Sequence, residues 1–344
     1  MTIKTLVLSG GAYKGLYMMG AISYLKEKKY IKTDKIKKFY CISVGGLVAV
    51  LMALDIPWEE LFYYIQKRPW DKLINITPDM LVSMLYKKGF FNINVFYTFL
   101  RNLFVMKNIS IDITFKEFYE LNGKEIYLYA YNVSNSQLEE ISWRTRPNQK
   151  LVEGLYQSCS LPFVFEPIMY NGSYYIDGNI ICSYPLQLCL ESGLKRKEIL
   201  CIRIDSTKRN MEITEKDNVF MFGFTLFSQL AARAAEKYIP DDYHGIHQQE
   251  DYQSPRLKGE KSKDSKKDKK HEKKEKKHEK KEKKQDKKDK KHEKKEKPIK
   301  ELFIPALPIN KEHAMKFLRE EAERKKMIDA GINFAKLYLK YLKR

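Results

Sequence analysis

Cysteine is scarce in this 344-residue chain. The five residues, Cys41, Cys159, Cys182, Cys189 and Cys201, are odd in number, and no spacing among them matches a zinc site. They read as free, buried thiols in a reducing compartment. No run of about 18 uninterrupted apolar residues exists, which argues against a membrane-spanning helix. The first apolar stretch, Leu6–Leu8, is too short for a signal core and runs into glycines. A cytoplasmic protein is expected, peripheral at membranes at most. The common nucleotide fingerprints are missing too. Lys14 precedes Gly15, so no G-x-x-x-x-G-K-[ST] forms, and G-x-G-x-x-G would need a glycine where Ala12 stands.

Charge, by contrast, is abundant and uneven. The formal net charge is +20. Residues 256–297 hold 23 Lys or Arg against 11 Asp or Glu, a net of +12, which leaves +8 for everything else. Within this run the heptad Lys-His-Glu-Lys-Lys-Glu-Lys recurs at 270–276, 277–283 and 291–297. Such a segment cannot bury enough apolar surface to offset its ordering entropy. A disordered, solvated insertion over 241–298 is expected. Holding the protein near anionic lipid is a second reading, and phosphate contact with nucleic acid a third. The interspersed acids weaken both. No aromatic platform lies inside the run, so no specific nucleic-acid partner is expected.

Outside the insertion, hydrophobic periodicity organises the chain. Residues 3–8 read as a buried strand, broken at Ser9-Gly10-Gly11 and followed by a helix through Tyr17, Met18, Ala21, Ile22 and Leu25. Residues 38–42 read as a second strand, with a helix from about Val44 to Leu54. Two strand–turn–helix units within about 55 residues predict an α/β protein with a largely parallel sheet. Residues 58–122 look mostly helical and aromatic-rich. The stretch 80–106 suits ordinary core at least as well as an acyl channel or lid. Strands are expected over 125–143, 198–205 and 299–309. An apolar, Phe-rich helix is expected over 218–238, suited to core packing or to dipping into a bilayer surface. A last amphipathic helix, or a pair divided around Gly331, is expected over 311–342. The expected division is a body over 1–240, the insertion over 241–298, and a return over 299–344 that completes the body.

Acyl transfer needs a nucleophile, a base and N–H donors aimed at the developing oxyanion. The sequence offers a candidate for each. Ser43, in Cys41-Ile42-Ser43-Val44-Gly45, ends a strand and starts a helix, much like the G-x-S-x-G elbow. A serine there is also a common helix N-cap. Ser9-Gly10-Gly11-Ala12-Tyr13-Lys14-Gly15 joins a strand to a helix, where backbone amides can face an anion. It also reads as a plain tight turn. Asp177-Gly178-Asn179 follows the apolar Tyr174-Tyr175-Ile176. Asp-Gly alone is a common hairpin turn. The order of all three is the stronger signal.

That order resembles the patatin-like phospholipase family, across most of residues 4–205 and also 299–340. The family carries an S-G-G-G-x-[KR]-G oxyanion loop, a G-x-S-x-G nucleophile and a D-G-[GA] base. The loop at 9–15 matches except for Ala12 at the third glycine, with Lys14 at the basic position. Ser158-Cys159-Ser160-Leu161-Pro162-Phe163-Val164-Phe165-Glu166-Pro167 looks like the S-x-x-x-P-x-x-F-x-P stretch before the aspartate, and Pro185 follows at a familiar distance. The resemblance implies a three-layer α/β/α fold with a largely parallel central sheet. It implies Ser43 as nucleophile and Asp177 as base, with the amides of Gly11 and Ala12 as oxyanion donors and Gly10 close by. The implied activity is hydrolysis of phospholipid or other acyl-lipid esters through an acyl-enzyme, with transient contact at a membrane surface and no metal or cofactor.

Two departures from the family pattern bear on this. Cys41 adds a side chain where the elbow is tight, and Asn179 replaces a glycine or alanine after the aspartate. Cys41 and Ala12 also suit a second reading, a non-catalytic patatin-like module that binds lipid or protein. None of the six histidines lies near the serine or aspartate motif in sequence, which favours a dyad over a triad. By chain order alone, His244 or His313 would suit the Ser–Asp–His order of an α/β-hydrolase.

Overall fold

A computed structural model describes residues 2–204, 299–305 and 311–343, with helical fragments at 222–223, 225–227 and 229–230. The chain divides into two units, residues 1–248 with 299–344, and residues 249–298. Only the first is described. The charged insertion expected over 241–298 and most of the helix expected over 218–238 lie outside the described residues.

The centre is one eight-stranded sheet. Strand β1 (Thr5–Leu8) leads into helix α1 (Gly15–Glu27), then β2 (Lys38–Ile42) and α2 (Val44–Ala53). Helices α3 (Trp58–Lys67), α4 (Trp70–Leu73), α5 (Pro78–Lys87), α6 (Asn94–Met106) and α7 (Phe115–Asn122) follow. Then come β3 (Glu125–Asn132), β4 (Gln137–Ile141), α8 (Leu151–Cys159), β5 (Ile168–Tyr170), β6 (Ser173–Asp177), α9 (Leu186–Glu191) and β7 (Ile199–Ile204). The chain returns as β8 (Lys300–Ile304), α10 (Lys311–Arg319) and α11 (Glu321–Tyr341).

The sheet order is β5-β6-β3-β2-β1-β7-β8, with β4 also on β3. The pairs β3–β2, β2–β1, β1–β7 and β7–β8 are parallel, and those made by β4, β5 and β6 are antiparallel. The chain runs from β1 outward to β2 and β3, then crosses back to add β7 on the other side of β1. Such a switch in direction opens a crevice at the carboxyl ends of the strands, where α/β sheets bind ligands.

Side-chain alternation builds the three layers. Leu6 and Leu8, Phe39 and Cys41, Ile126 and Leu128, and Leu200 and Ile202 point into the larger core, under α1, α2, α6, α8 and α11. Val7, Tyr40, Ile42, Tyr127, Tyr129, Ile199 and Cys201 point to the opposite face and a smaller core under α9. Both faces are apolar because both are covered, as a mostly parallel sheet requires.

The C-terminal helices differ from expectation at one point. The break falls at Glu320, not at Gly331. Gly331 sits mid-helix in α11, where a Cβ would collide with the Tyr17 carbonyl of α1. Gly20 of α1 is likewise pressed on the Ile328 backbone. The two glycines let the helices touch backbone to backbone, so Gly331 serves packing where the sequence suggested a breaker. The aromatic stretch also divides. Phe96, Phe99, Leu100, Leu103 and Phe104 are core, whereas α5 buries no residue.

Candidate active site

The glycine loop leaves β1 tied to its neighbours. The Ser9 N–H donates to the Ile202 carbonyl at 3.2 Å, and the Ser9 hydroxyl accepts from the Ile204 N–H at 2.9 Å. The Gly10 N–H donates to the Ser183 carbonyl at 3.0 Å, so that amide is already engaged. The amides of Gly11 and Ala12 find no acceptor among the described residues. Ala12 takes φ 50°, the left-handed region where the family pattern has glycine. A single-turn 3-10 helix over Ala12–Lys14 then runs into α1. Lys14 is buried and lines a small cleft with Tyr13, Tyr17, His313, Glu323 and Met327. Burial, reinforced by Glu323, pushes the Tyr17 hydroxyl up to about 12.

Ser43 occupies a sharp turn between β2 and α2, with φ 53° and ψ −127°. A non-glycine residue there costs about 1–3 kcal/mol and persists only where the surroundings enforce it. Three contacts do so. The Ser43 N–H donates to the Ser158 hydroxyl at 3.0 Å. That hydroxyl donates in turn to the Tyr129 carbonyl at 2.8 Å. Gly45 lies so close to β1 that a Cβ would come within 2.5 Å of the Leu8 carbonyl oxygen. Ser43 is the N-cap residue of α2 yet makes no capping hydrogen bond with its side chain. Its hydroxyl donates instead to Asp177 Oδ2 at 2.6 Å.

Asp177 ends β6. Its N–H donates to the Ser160 carbonyl at 2.9 Å, and its Oδ1 accepts the Asn179 N–H at 2.8 Å. The first oxygen is thus held by the backbone and the second faces the serine. Asp177-Gly178-Asn179 is therefore no hairpin. It opens a 3-10 turn over Gly178–Ile180, and Gly178 packs on the Tyr129 carbonyl. Ser43 and Asp177 are 6% and 3% exposed, so their hydrogen bond is made in a low-dielectric setting where it is strong. The Asn179 side chain lies against Gly10 and fills space between the aspartate turn and the glycine loop.

Cys41 is completely buried in the larger core, and the Ser43 turn forms beside it. All five cysteines are free and buried. Burial, then the Asp177 charge, pushes the Cys159 thiol well above its usual range, with a smaller opposing pull from the Ser43 hydroxyl. A thiol held neutral is a poor nucleophile.

A second polar cluster braces the site from behind. Arg146 is 8% exposed and lies between the rings of Tyr170 and Tyr175, 4.7 Å and 4.5 Å from their centroids. It pairs with Glu139 at 2.6 Å and donates to the Gln157 side-chain oxygen at 3.1 Å. Tyr175 stands two residues before Asp177, and Gln157 one before Ser158. One cation therefore braces both the strand that carries the aspartate and the helix that carries Ser158. Ser158 and Arg146 were not among the candidate site residues. Ser158 stood in the recognised stretch, but only its partners reveal what it holds.

His313 lies in the cleft with Lys14 and Glu323, apart from the serine–aspartate pair. The other five histidines lie outside the described residues. Among the described residues, no group of three His, Cys, Asp or Glu is placed to hold a metal ion. Nor is any helix among them long and apolar enough to cross a membrane.

Comparison with known proteins places this architecture. A protein of invertebrate iridescent virus 6, named as a probable lipid hydrolase, is 33% identical over 197 residues, covering 57% of this chain and 66% of that one. An uncharacterised protein of Acanthamoeba polyphaga mimivirus is 24% identical over 186 residues, covering 54% and 61%. The chain thus spans two thirds or less of the length of these relatives. Among solved structures, VipD of Legionella pneumophila aligns with a TM-score of 0.39 at 18% identity, over 59% of this chain and 50% of that one. ExoU of Pseudomonas aeruginosa, solved in complex with SpcU, aligns with a TM-score of 0.34 at 15% identity, over 69% and 51%. The profile of the patatin-like phospholipases matches residues 6–190, more than half of the chain, and the chain belongs to that family.

Proposed function

We propose that this chain hydrolyses ester bonds of phospholipids or other acyl lipids with a Ser43–Asp177 dyad, through an acyl-enzyme. The observation that carries this reading is the 2.6 Å hydrogen bond from the Ser43 hydroxyl to Asp177 Oδ2. A hydroxyl aimed at a buried carboxylate is in line for general-base activation, an effect typically of about 10²–10⁴-fold. In the proposed reaction Asp177 accepts the Ser43 proton as Oγ attacks the ester carbonyl. The tetrahedral oxyanion meets the amides of Gly11 and Ala12, where each donor contributes about 10²–10³-fold. Collapse expels the alcohol, which takes the proton back from Asp177. Water, deprotonated by Asp177, then attacks the acyl group on Ser43; the acyl–oxygen bond breaks, Ser43 Oγ takes the proton back from Asp177, and the fatty acid is released. The partner is a lipid substrate, met at a membrane surface.

Family membership supports the substrate class, as does the name of the viral relative. The test compares wild type with Ser43→Ala on phospholipid and on a soluble short-chain ester. Ser43 should also be the residue labelled by a fluorophosphonate. Esterase activity equal in wild type and Ser43→Ala, with Ser43 unlabelled in folded protein, would sink the reading. It would favour a non-catalytic binding module.

A further inference from the structure

Helix α5 turns an apolar face to solvent. It contains no buried residue. Leu81, Val82, Leu85 and Tyr86 are 55%, 64%, 72% and 79% exposed. At 100° per residue these four fall on one arc of the helix, and Pro78 shares it. Met80, Ser83 and Met84, on the opposite arc, are the partly covered ones. Ile76, 50% exposed, extends the apolar strip before the helix. A contiguous exposed strip of this kind marks an interaction surface.

The chain after α5 fixes that strip beside the candidate active site. Lys88 ends the helix in a left-handed turn. The N–H groups of Phe90 and Phe91 then both donate to the Val164 carbonyl at 3.0 Å, and the Glu166 N–H donates to the Phe91 carbonyl at 2.8 Å. The 161–166 segment begins next to Ser160, whose carbonyl holds the Asp177 N–H. A second exposed apolar group, Phe222, Leu226 and Leu230, is tied to this same segment through the 6.0 Å ring contact of Phe227 with Phe163. Two apolar surfaces thus meet the segment that frames the site.

Charge selects the occupant. Lys72, Lys87 and Lys88 are exposed around α5, against Asp71 and Asp79, and the chain outside residues 256–297 carries a net +8. An apolar strip with an aromatic residue and flanking lysines matches the interface of an anionic bilayer, where apolar side chains enter the acyl boundary and lysines stay among the headgroups. We propose that α5 is the docking surface through which this protein sits on an anionic lipid bilayer, with the Ser43–Asp177 site turned toward the lipid. This deepens the reading of that site as a lipid-ester hydrolase and rests on it.

The test uses the full chain carrying Ser43→Ala, so that lipid is bound but not consumed, and vesicles of phosphatidylcholine with or without phosphatidylserine. Binding should require phosphatidylserine, and Leu81→Asp with Leu85→Asp should lower the affinity at least tenfold. Both leucines are exposed, so the double variant should melt like its parent. With Ser43 intact, it should cleave a soluble short-chain ester like wild type while losing activity on vesicles. Tyr86→Trp should add fluorescence that shifts to the blue with anionic vesicles. Unchanged binding by the double variant, or no shift, overturns the proposal. A concentration-dependent dimer abolished by the same variant also overturns it and assigns the strip to a second copy. If vesicle binding depends on Leu81 and Leu85 but no ester is cleaved, the docking surface stands and the hydrolase reading falls.

Discussion

Ser158 holds Ser43 by its backbone, accepting the Ser43 N–H at 3.0 Å while its own proton goes to Tyr129. Removing that hydroxyl leaves a buried amide and a buried carbonyl unpaired, at about 1–3 kcal/mol for such a group. Ser158→Ala is expected to lower the melting temperature and to cut kcat roughly tenfold, with KM little changed. Thermal melting and ester kinetics check both. A fall in KM affinity with kcat intact would show that Ser158 serves binding instead.

The Ser43 turn stores strain that glycine would not. Ser43→Gly should abolish ester hydrolysis and yet raise stability by about 1 kcal/mol, since glycine accepts positive φ without a Cβ penalty. Denaturant titration reads the sign. A clear loss of stability would mean that the hydroxyl's bond to Asp177 outweighs the backbone strain.

Ala12 stands at φ 50° in the glycine loop. Ala12→Gly should relieve that strain and stabilise the folded chain by a few tenths of a kcal/mol, partly offset by the added freedom of the unfolded chain. Because the amide is retained, turnover of a soluble ester should stay within about twofold. A tenfold change either way would show that the Cβ itself shapes the oxyanion pocket.

Cys41 fills core space where the family pattern has glycine. Cys41→Gly should cost about 1–3 kcal/mol through the lost side chain and a glycine in a central strand, with no gain in activity. Burial raises the thiols of Cys41, Cys159 and Cys201 well above their usual range. A thiol reagent at pH 8 should therefore react with none of them until the protein unfolds. Rapid labelling of native protein at any of these three positions would contradict the buried setting.

Glu139 sets an acid limit. Burial raises its carboxyl, but hydrogen bonds from Tyr175, Asn135 and Asn132 and the Arg146 charge outweigh it, so the net shift is below the ordinary 4.5. A depressed carboxylate contributes stability that is present above 4.5 and lost as pH falls through the lower folded value. Glu139→Gln should therefore melt below wild type at pH 7, with the gap closing below about pH 4. Partial exposure of Glu139 keeps the gap modest. A gap independent of pH would assign the loss to shape rather than charge.

Much of this molecule was legible before folding. Short, nearly continuous apolar runs in 3–8 and 38–42, each followed by small residues and a helical pattern, determined a parallel α/β core, because local sterics and two-faced burial leave few other outcomes. The serine, the glycine loop and the Asp-Gly pair were legible for the same local reason: each sits at a strand end where only certain residues fit. Distance along the chain hid the rest. The Ser43–Asp177 bond joins residues 134 apart, and the Ser158–Ser43 bond residues 115 apart. No local pattern records such a pairing. Nor could the sequence tell that Gly331 presses on Tyr17 instead of ending a helix, that the Gly10 amide is taken by Ser183, or that α5 turns its leucines outward. Those outcomes depend on what packs opposite each residue, and only the folded chain supplies the opposite side.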